Sequence, residues 1–300
     1  SERTENLGNS EHLSSSSPRK FSIAPLPALW ETLFMKTCIV LTLLSLLSPL
    51  RAQERPEIPP DLLDDEHFRS DSALNDFTVP SIVKVFDELE KISPLAYSSD
   101  HLKRHERLPL DRSKLALRLG TLIADGFIAV QTGNSDDVPS IASHLSRYAK
   151  ALGAGDRITR HAAALLDHAK AKDLDKLKAA LAATQRDVER ELVSLRDPDL
   201  SHLISLGGWI EALEAASTAV DKKFTPERAQ RLFREDIADY YSESIGSLNP
   251  QISDLPHIKK MREYLSGLRN AMALEDGAKA TKEGVREIRE VATALAKFAR

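Results

Sequence analysis

The chain has 300 residues, of which 29% are charged, with a formal net charge of -4 and a single cysteine. This nearly balanced charge gives no support to a nucleic-acid partner, which would demand a basic stripe on one face. One cysteine excludes an internal disulfide framework and a thiolate metal cluster.

Residues 1–34 contain Ser14-Ser15-Ser16-Ser17-Pro18 and show no sustained periodicity. They read as a disordered extension or as a start assigned too early. Residues 35–52 read as a secretory signal peptide. Lys36 follows Met35, an apolar run extends from Thr37 to Leu50, and Ala52 closes the segment before Gln53. The run is shorter than the roughly 20 residues a helix needs to cross a bilayer. Cleavage after Ala52 is therefore expected, giving a periplasmic or extracellular protein with no stable transmembrane segment. The remaining 248 residues lack cysteine, because Cys38 lies in the targeting segment, and carry 36 Lys and Arg against 41 Asp and Glu. That length can bury a substantial core.

Residues 53–76 hold Pro56, Pro59 and Pro60 beside the acids Asp61, Asp64, Asp65 and Glu66, and read as an extended linker. From 77 to 300, apolar residues recur at helical spacing, which predicts a single helical domain. The first helix is expected over 78–92, with Pro80 in its first turn and Pro94 as its stop. A polar connection follows over 96–109. In the second helix, 111–132, Leu115, Leu119, Leu122, Ile123 and Phe127 cover more than one face, so it should be central. Gly133-Asn134 ends it.

Helices over 136–152, 156–171 and 173–195 come next, the last capped by Asp173. Asp197-Pro198-Asp199 opens a helix over 198–221, and Thr225-Pro226-Glu227 opens another over 226–245. Segments 256–273 and 278–299 complete the pattern. Short turns between long helices predict an all-α fold: an antiparallel multi-helix bundle of about eight or nine helices in paired helical hairpins.

Asp125 is the clearest polar anomaly, because it interrupts Leu122-Ile123-Ala124-Asp125-Gly126-Phe127-Ile128. A carboxylate buried there must be paired or protonated. Arg118, two turns earlier on nearly the same face, and Thr121 are its expected partners in a polar core or ligand pocket. Trp209, beside Gly207-Gly208, is expected to fill a tight helix crossing or to line a pocket. Gly120, Gly126, Gly207 and Gly208 are the candidate crossing residues. Each glycine inside a helix is otherwise worse than alanine by about 1 kcal/mol.

Glu189, Glu211 and Glu214 read as solvent-facing. His101 and His105, among Lys103, Arg104, Glu106 and Arg107, read as a solvated linker. The pairs His161/His168 and Asp199/His202 lack the additional carboxylates of a helical metal site. No metal and no cofactor is expected, and no catalytic residue is assigned. His-Glu-x-x-His, Gly-x-Ser-x-Gly and glycine-rich phosphate motifs are absent from the sequence.

The segment from Leu119 to Gln131, together with Ser205-Leu206-Gly207-Gly208-Trp209, resembles a family of uncharacterised secreted bacterial all-helical proteins over about 110–270. That resemblance implies a helical fold and export, and it brings no active site. A remoter resemblance is to exported imelysin-like helical proteins. Gly208-Trp209-Ile210-Glu211-Ala212-Leu213-Glu214 lacks the histidine of their Gly-x-His-x-x-Glu motif. The expected function is an exported ligand-binding or protein-interaction module, not an enzyme, whose partner is an envelope protein or a small ligand. Self-association into a homo-oligomer is compatible with this reading. The alternative is a carboxylate/histidine-based hydrolase or a metal-binding envelope protein.

Overall fold

The structure, a computed structural model, describes residues 57–62, 80–95, 97–275 and 277–300. The leader at 1–34, the targeting segment at 35–52 and most of the linker at 53–76 lie outside the described residues. The compact unit Gln53–Arg300 contains everything described below. It is an all-α multi-helix bundle. No helix among the described residues is long and apolar enough to cross a membrane.

The helices are α1 (Ile82–Glu90), α2 (Arg112–Gln131), α3 (Val138–Leu152), α4 (Gly155–Ala171), α5 (Leu174–Ser194) and α6 (Asp199–Lys222). They continue with α7 (Pro226–Gln230), α8 (Glu235–Gly246), α9 (Pro250–Ser253), α10 (Pro256–Met272) and α11 (Lys282–Ala299). The most extensive packing joins α2 to α6. Helices α3, α4 and α5 pack in succession, and α5 returns to α2. Helices α8, α10 and α11 pack through α10, and α11 returns to α6. Both central helices are apolar on more than one face, so burial on all sides is the arrangement that removes that surface from water.

Glycines set the approach of the central pair. A Cβ on Gly120 would lie 1.9 Å from the carbonyl oxygen of Ile204, and one on Gly207 would lie 2.1 Å from that of Leu117. The backbones of α2 and α6 therefore touch, and only glycine fits at these two points. This contact offsets the poor helix propensity of Gly207-Gly208, and α6 runs through the pair unbroken. Gly126 serves a different neighbour. A Cβ there would meet the side chains of Leu181 on α5 and Ile141 on α3.

Local signals fix several helix ends. The Asp111 carboxylate accepts from the backbone N–H of Ser113 at 2.8 Å and of Lys114 at 3.3 Å. Asp173 accepts from Lys176 N–H at 3.1 Å, and Thr225 Oγ1 accepts from Arg228 N–H at 3.3 Å. Gly133 and Gly153 close α2 and α3 with φ of 78° and 91°, a left-handed backbone that suits glycine.

Several boundaries depart from the sequence pattern, each for a tertiary reason. Pro80 lies outside α1, which begins after Ser81. Its carbonyl accepts from Ser205 Oγ at 2.8 Å, while Ile82 N–H donates to Gln185 Oε1 at 3.2 Å. The start of α1 is thus tied to α5 and α6. The helix expected over 226–245 is split into α7 and α8. Between them, Arg234 forks onto Asp61 and Asp236. Asp197 does not cap α6, since its Oδ2 accepts from Arg112 Nη2 at 2.7 Å and Pro198 holds the cap position. Glu189 is buried and accepts from Gln185 Nε2 at 2.7 Å, so it does not face solvent.

Candidate functional site

The segment expected to be a solvated connection contains a 3-10 turn, Ser99–His105, which lies on α2 and α3. Leu102 anchors it in the core, and His105 is buried with it. Both of its histidines, His101 and His105, reach Asp125.

His101 Nδ1 lies 3.4 Å from Asp125 Oδ1 and 3.3 Å from Glu211 Oε1. Asp125 belongs to α2 and Glu211 to α6, and each is only 1% exposed. Gly120 and Gly207 meet the facing backbone at the glycine crossing, and about one turn beyond each of them Asp125 meets Glu211. The three intervening helices return the chain so that α6 runs in the same sense as α2. The close approach set by Gly120 and Gly207 thus brings two carboxylates from distant parts of the sequence together.

Further groups surround this centre. His105 Nε2 stands 3.4 Å from Asp125 Oδ2, and its ring meets Tyr148 edge-on at 5.7 Å between centroids. Arg300 Nε donates to Glu211 Oε2 at 2.7 Å, and its Nη2 also reaches Glu211 Oε1 and Glu214 Oε2. A cavity of about 240 Å³ opens beside the cluster, lined by Tyr97, Ser98, His101, Asp125, Glu211 and Glu214 among others. Lys222 stands exposed at its mouth. Three buried polar atoms here make no aligned hydrogen bond: Tyr97 OH, His105 Nδ1 and Asp125 Oδ1, the last with only the long 3.4 Å contact to His101.

The electrostatics follow from this geometry. Burial pushes the Asp125 carboxyl up, but the imidazoles of His101 and His105 outweigh it and hold the group below its ordinary range. Burial, reinforced by the charge of Asp125, raises the Glu211 carboxyl despite His101 and Arg300. Hydrogen bonding to Asp125, and then to Glu211, raises His101 to about 9. Burial raises the Tyr97 phenol. Two neighbouring carboxylates thus sit in one site with their proton affinities pushed in opposite directions.

The four polar-core residues read from the sequence do not converge. Arg118 turns away from Asp125, and its Nη1 donates to the Arg107 carbonyl at 3.3 Å. Thr121 Oγ1 donates to the Arg118 carbonyl at 2.9 Å within α2. Trp209 stacks on Tyr241 with centroids 5.1 Å apart. It lines a second, apolar cavity of about 210 Å³ with Leu62, Leu89, Ile92, Leu213 and Met272. Asp125 alone of the four reaches the cluster. Gly120, Gly207 and Gly208 lie at the α2–α6 crossing, and Gly126 at the packing of α2 against α3 and α5.

Sequence reading passed over His101, His105, Glu211, Arg300 and Tyr97. Glu211 carried a usable signal. It interrupts Trp209-Ile210-Glu211-Ala212-Leu213 in the other thoroughly apolar helix, just as Asp125 interrupts α2. Other histidines make contacts away from this cluster: His161 with Asp187 at 2.7 Å, His202 with Ser244 at 3.0 Å, and His257 with Ser113 at 2.7 Å, whose hydroxyl also donates to Asp111.

His101, Asp125 and Glu211 offer one ligand atom each, all within 4.8 Å of one another, and could together hold a metal ion. Comparison with protein-family models, curated proteins and solved structures gave no match.

Proposed function

We propose that this is an exported helical ligand-binding protein, and that its binding site is the polar cavity between α2, α6 and the 97–105 segment. The observation that carries the reading is Asp125 Oδ1, a buried carboxylate oxygen on the wall of that cavity that makes no aligned hydrogen bond, its ion-pair partner His101 Nδ1 standing at a long 3.4 Å. Leaving such an atom unsatisfied costs about 1–3 kcal/mol, and more when it is charged. A ligand that completes the site recovers this energy. The buried wall sets Asp125, Glu211 and Glu214 against Arg300, with Lys222 at the exposed mouth, so a cation that displaces the His101 proton is the complementary ligand. Export is supported by the targeting pattern of residues 35–52.

Thermal denaturation of the full chain with a panel of divalent metals, polyamines and quaternary amines tests this reading. At least one class should raise the midpoint in a concentration-dependent way, and Asp125→Asn should abolish the rise. A flat response across the panel, or an equal response in the variant, would overturn it. N-terminal sequencing of the protein from its producing cell tests export separately. Gln53 is the expected first residue, and an intact segment 35–52 on a protein retained in the cytoplasm would contradict it.

A further inference from the structure

We infer that the cavity's occupant is a divalent transition-metal ion held by His101 Nδ1, Asp125 and Glu211. This rests on the ligand-binding reading of the cavity and names the ligand. Distances carry it first. Nδ1 stands 3.3 and 3.4 Å from two carboxylate oxygens. Charge-assisted N–H···O bonds are shorter, about 2.7–2.9 Å, and a single Nδ1–H shared between the two oxygens aligns well with neither. Atoms that share a metal at about 2.0–2.2 Å are separated by roughly 3.0–3.5 Å, depending on tetrahedral or octahedral geometry. His101 Nδ1 has that spacing to both carboxylates, and all three ligand atoms lie within 4.8 Å of one another.

Charge gives the second support. Asp125, Glu211 and Glu214 face one buried guanidinium, Arg300, which leaves two negative charges before His101 is counted. A divalent ion bound through neutral His101 balances them. The surroundings give the third. His105 faces Asp125 Oδ2, and Arg300 Nε holds Glu211 Oε2, so each ligating carboxylate is steadied through its other oxygen. Arg300 Nη2 also reaches Glu211 Oε1, and on metal binding Oε1 gives up that contact while Arg300 keeps Glu211 Oε2 and Glu214. Asp125 Oδ1, which makes no aligned hydrogen bond, is the atom available for coordination beside His101.

One imidazole with two carboxylates suits zinc, manganese, iron or cobalt. Calcium prefers six to eight oxygens, and magnesium retains most of its waters. The cavity side is left open for water or a bound group, with Tyr97 on its wall.

The test uses the untagged full chain, stripped with chelator and titrated separately with Zn²⁺, Mn²⁺, Co²⁺ and Mg²⁺. One equivalent of a transition ion should bind, and Co²⁺ should develop a visible d–d spectrum. His101→Gln and Glu211→Gln should each weaken binding by about tenfold or more, and His101→Gln should change the Co²⁺ spectrum. If Glu211→Gln fails to fold, His101→Gln and Asp125→Asn still decide the question. Stoichiometric binding by none of the transition ions would overturn the inference, as would full binding in folded His101→Gln. An organic cation that stabilises the wild type but not Asp125→Asn, where no metal binds, would refute the metal and leave the cavity reading standing.

Discussion

Two short stretches of the same helix pair behave in opposite ways. At Gly120 and Gly207, α2 and α6 meet backbone to backbone with no room for a methyl group. About one turn further along, at Asp125 and Glu211, the same helices hold two buried carboxylates with polar atoms left over. The first stretch is complete in itself, and the second is not. The difference shows how packing precision in one place fixes polar geometry in the next. A Cβ at the crossing would push α6 from α2 and pull Glu211 from Asp125.

The largest expected effect belongs to the polar stretch. Glu211→Ala removes the main partner of Arg300, which is only 4% exposed. Breaking one side of a buried ion pair costs about 3–5 kcal/mol, and chemical denaturation should show a loss of that size. The crossing comes next. Gly207→Ala should destabilise by about 3 kcal/mol, because the clashing atom is a backbone oxygen that no rotamer change can move. It should also weaken transition-metal binding, although Gly207 touches no ligand atom. A variant that loses stability and binds metal normally would break the link between crossing and site.

Gly126→Ala sharpens the comparison from the other direction. Its nearest neighbour would be the end of the Leu181 side chain, at 2.9 Å, which can rotate. The gain in helix propensity, about 1 kcal/mol, offsets that repacking. Stability should therefore stay within about 1 kcal/mol of wild type. The smallest effect is expected for Arg118→Ala. This side chain is tied to the Arg107 carbonyl away from the cluster, and stability should change by about 0.5 kcal/mol or less with metal binding unaltered. Loss of metal binding in Arg118→Ala would restore Arg118 to the site.

Helical periodicity made the bundle legible in the sequence, and Asp173, Thr225 and Gly133 marked helix ends through chemistry local to each turn. Asp125 was legible because a charge inside an apolar helix has one short list of explanations. The rest of the cluster was hidden by distance along the chain. His101, Asp125, Glu211 and Arg300 come from four separate segments, and no spacing rule links them. His101 and His105 were obscured further by the charged residues between them, which made a buried turn resemble a solvated one. The split between α7 and α8 escaped notice for the same reason, since Arg234 finds one of its carboxylates at Asp61.

A crystal of the full chain soaked in Zn²⁺ and measured at the zinc absorption edge tests the central claim most directly. The account predicts an anomalous peak within bonding distance of His101 Nδ1, Asp125 and Glu211. A crystal with that cavity empty and zinc bound only elsewhere would contradict it.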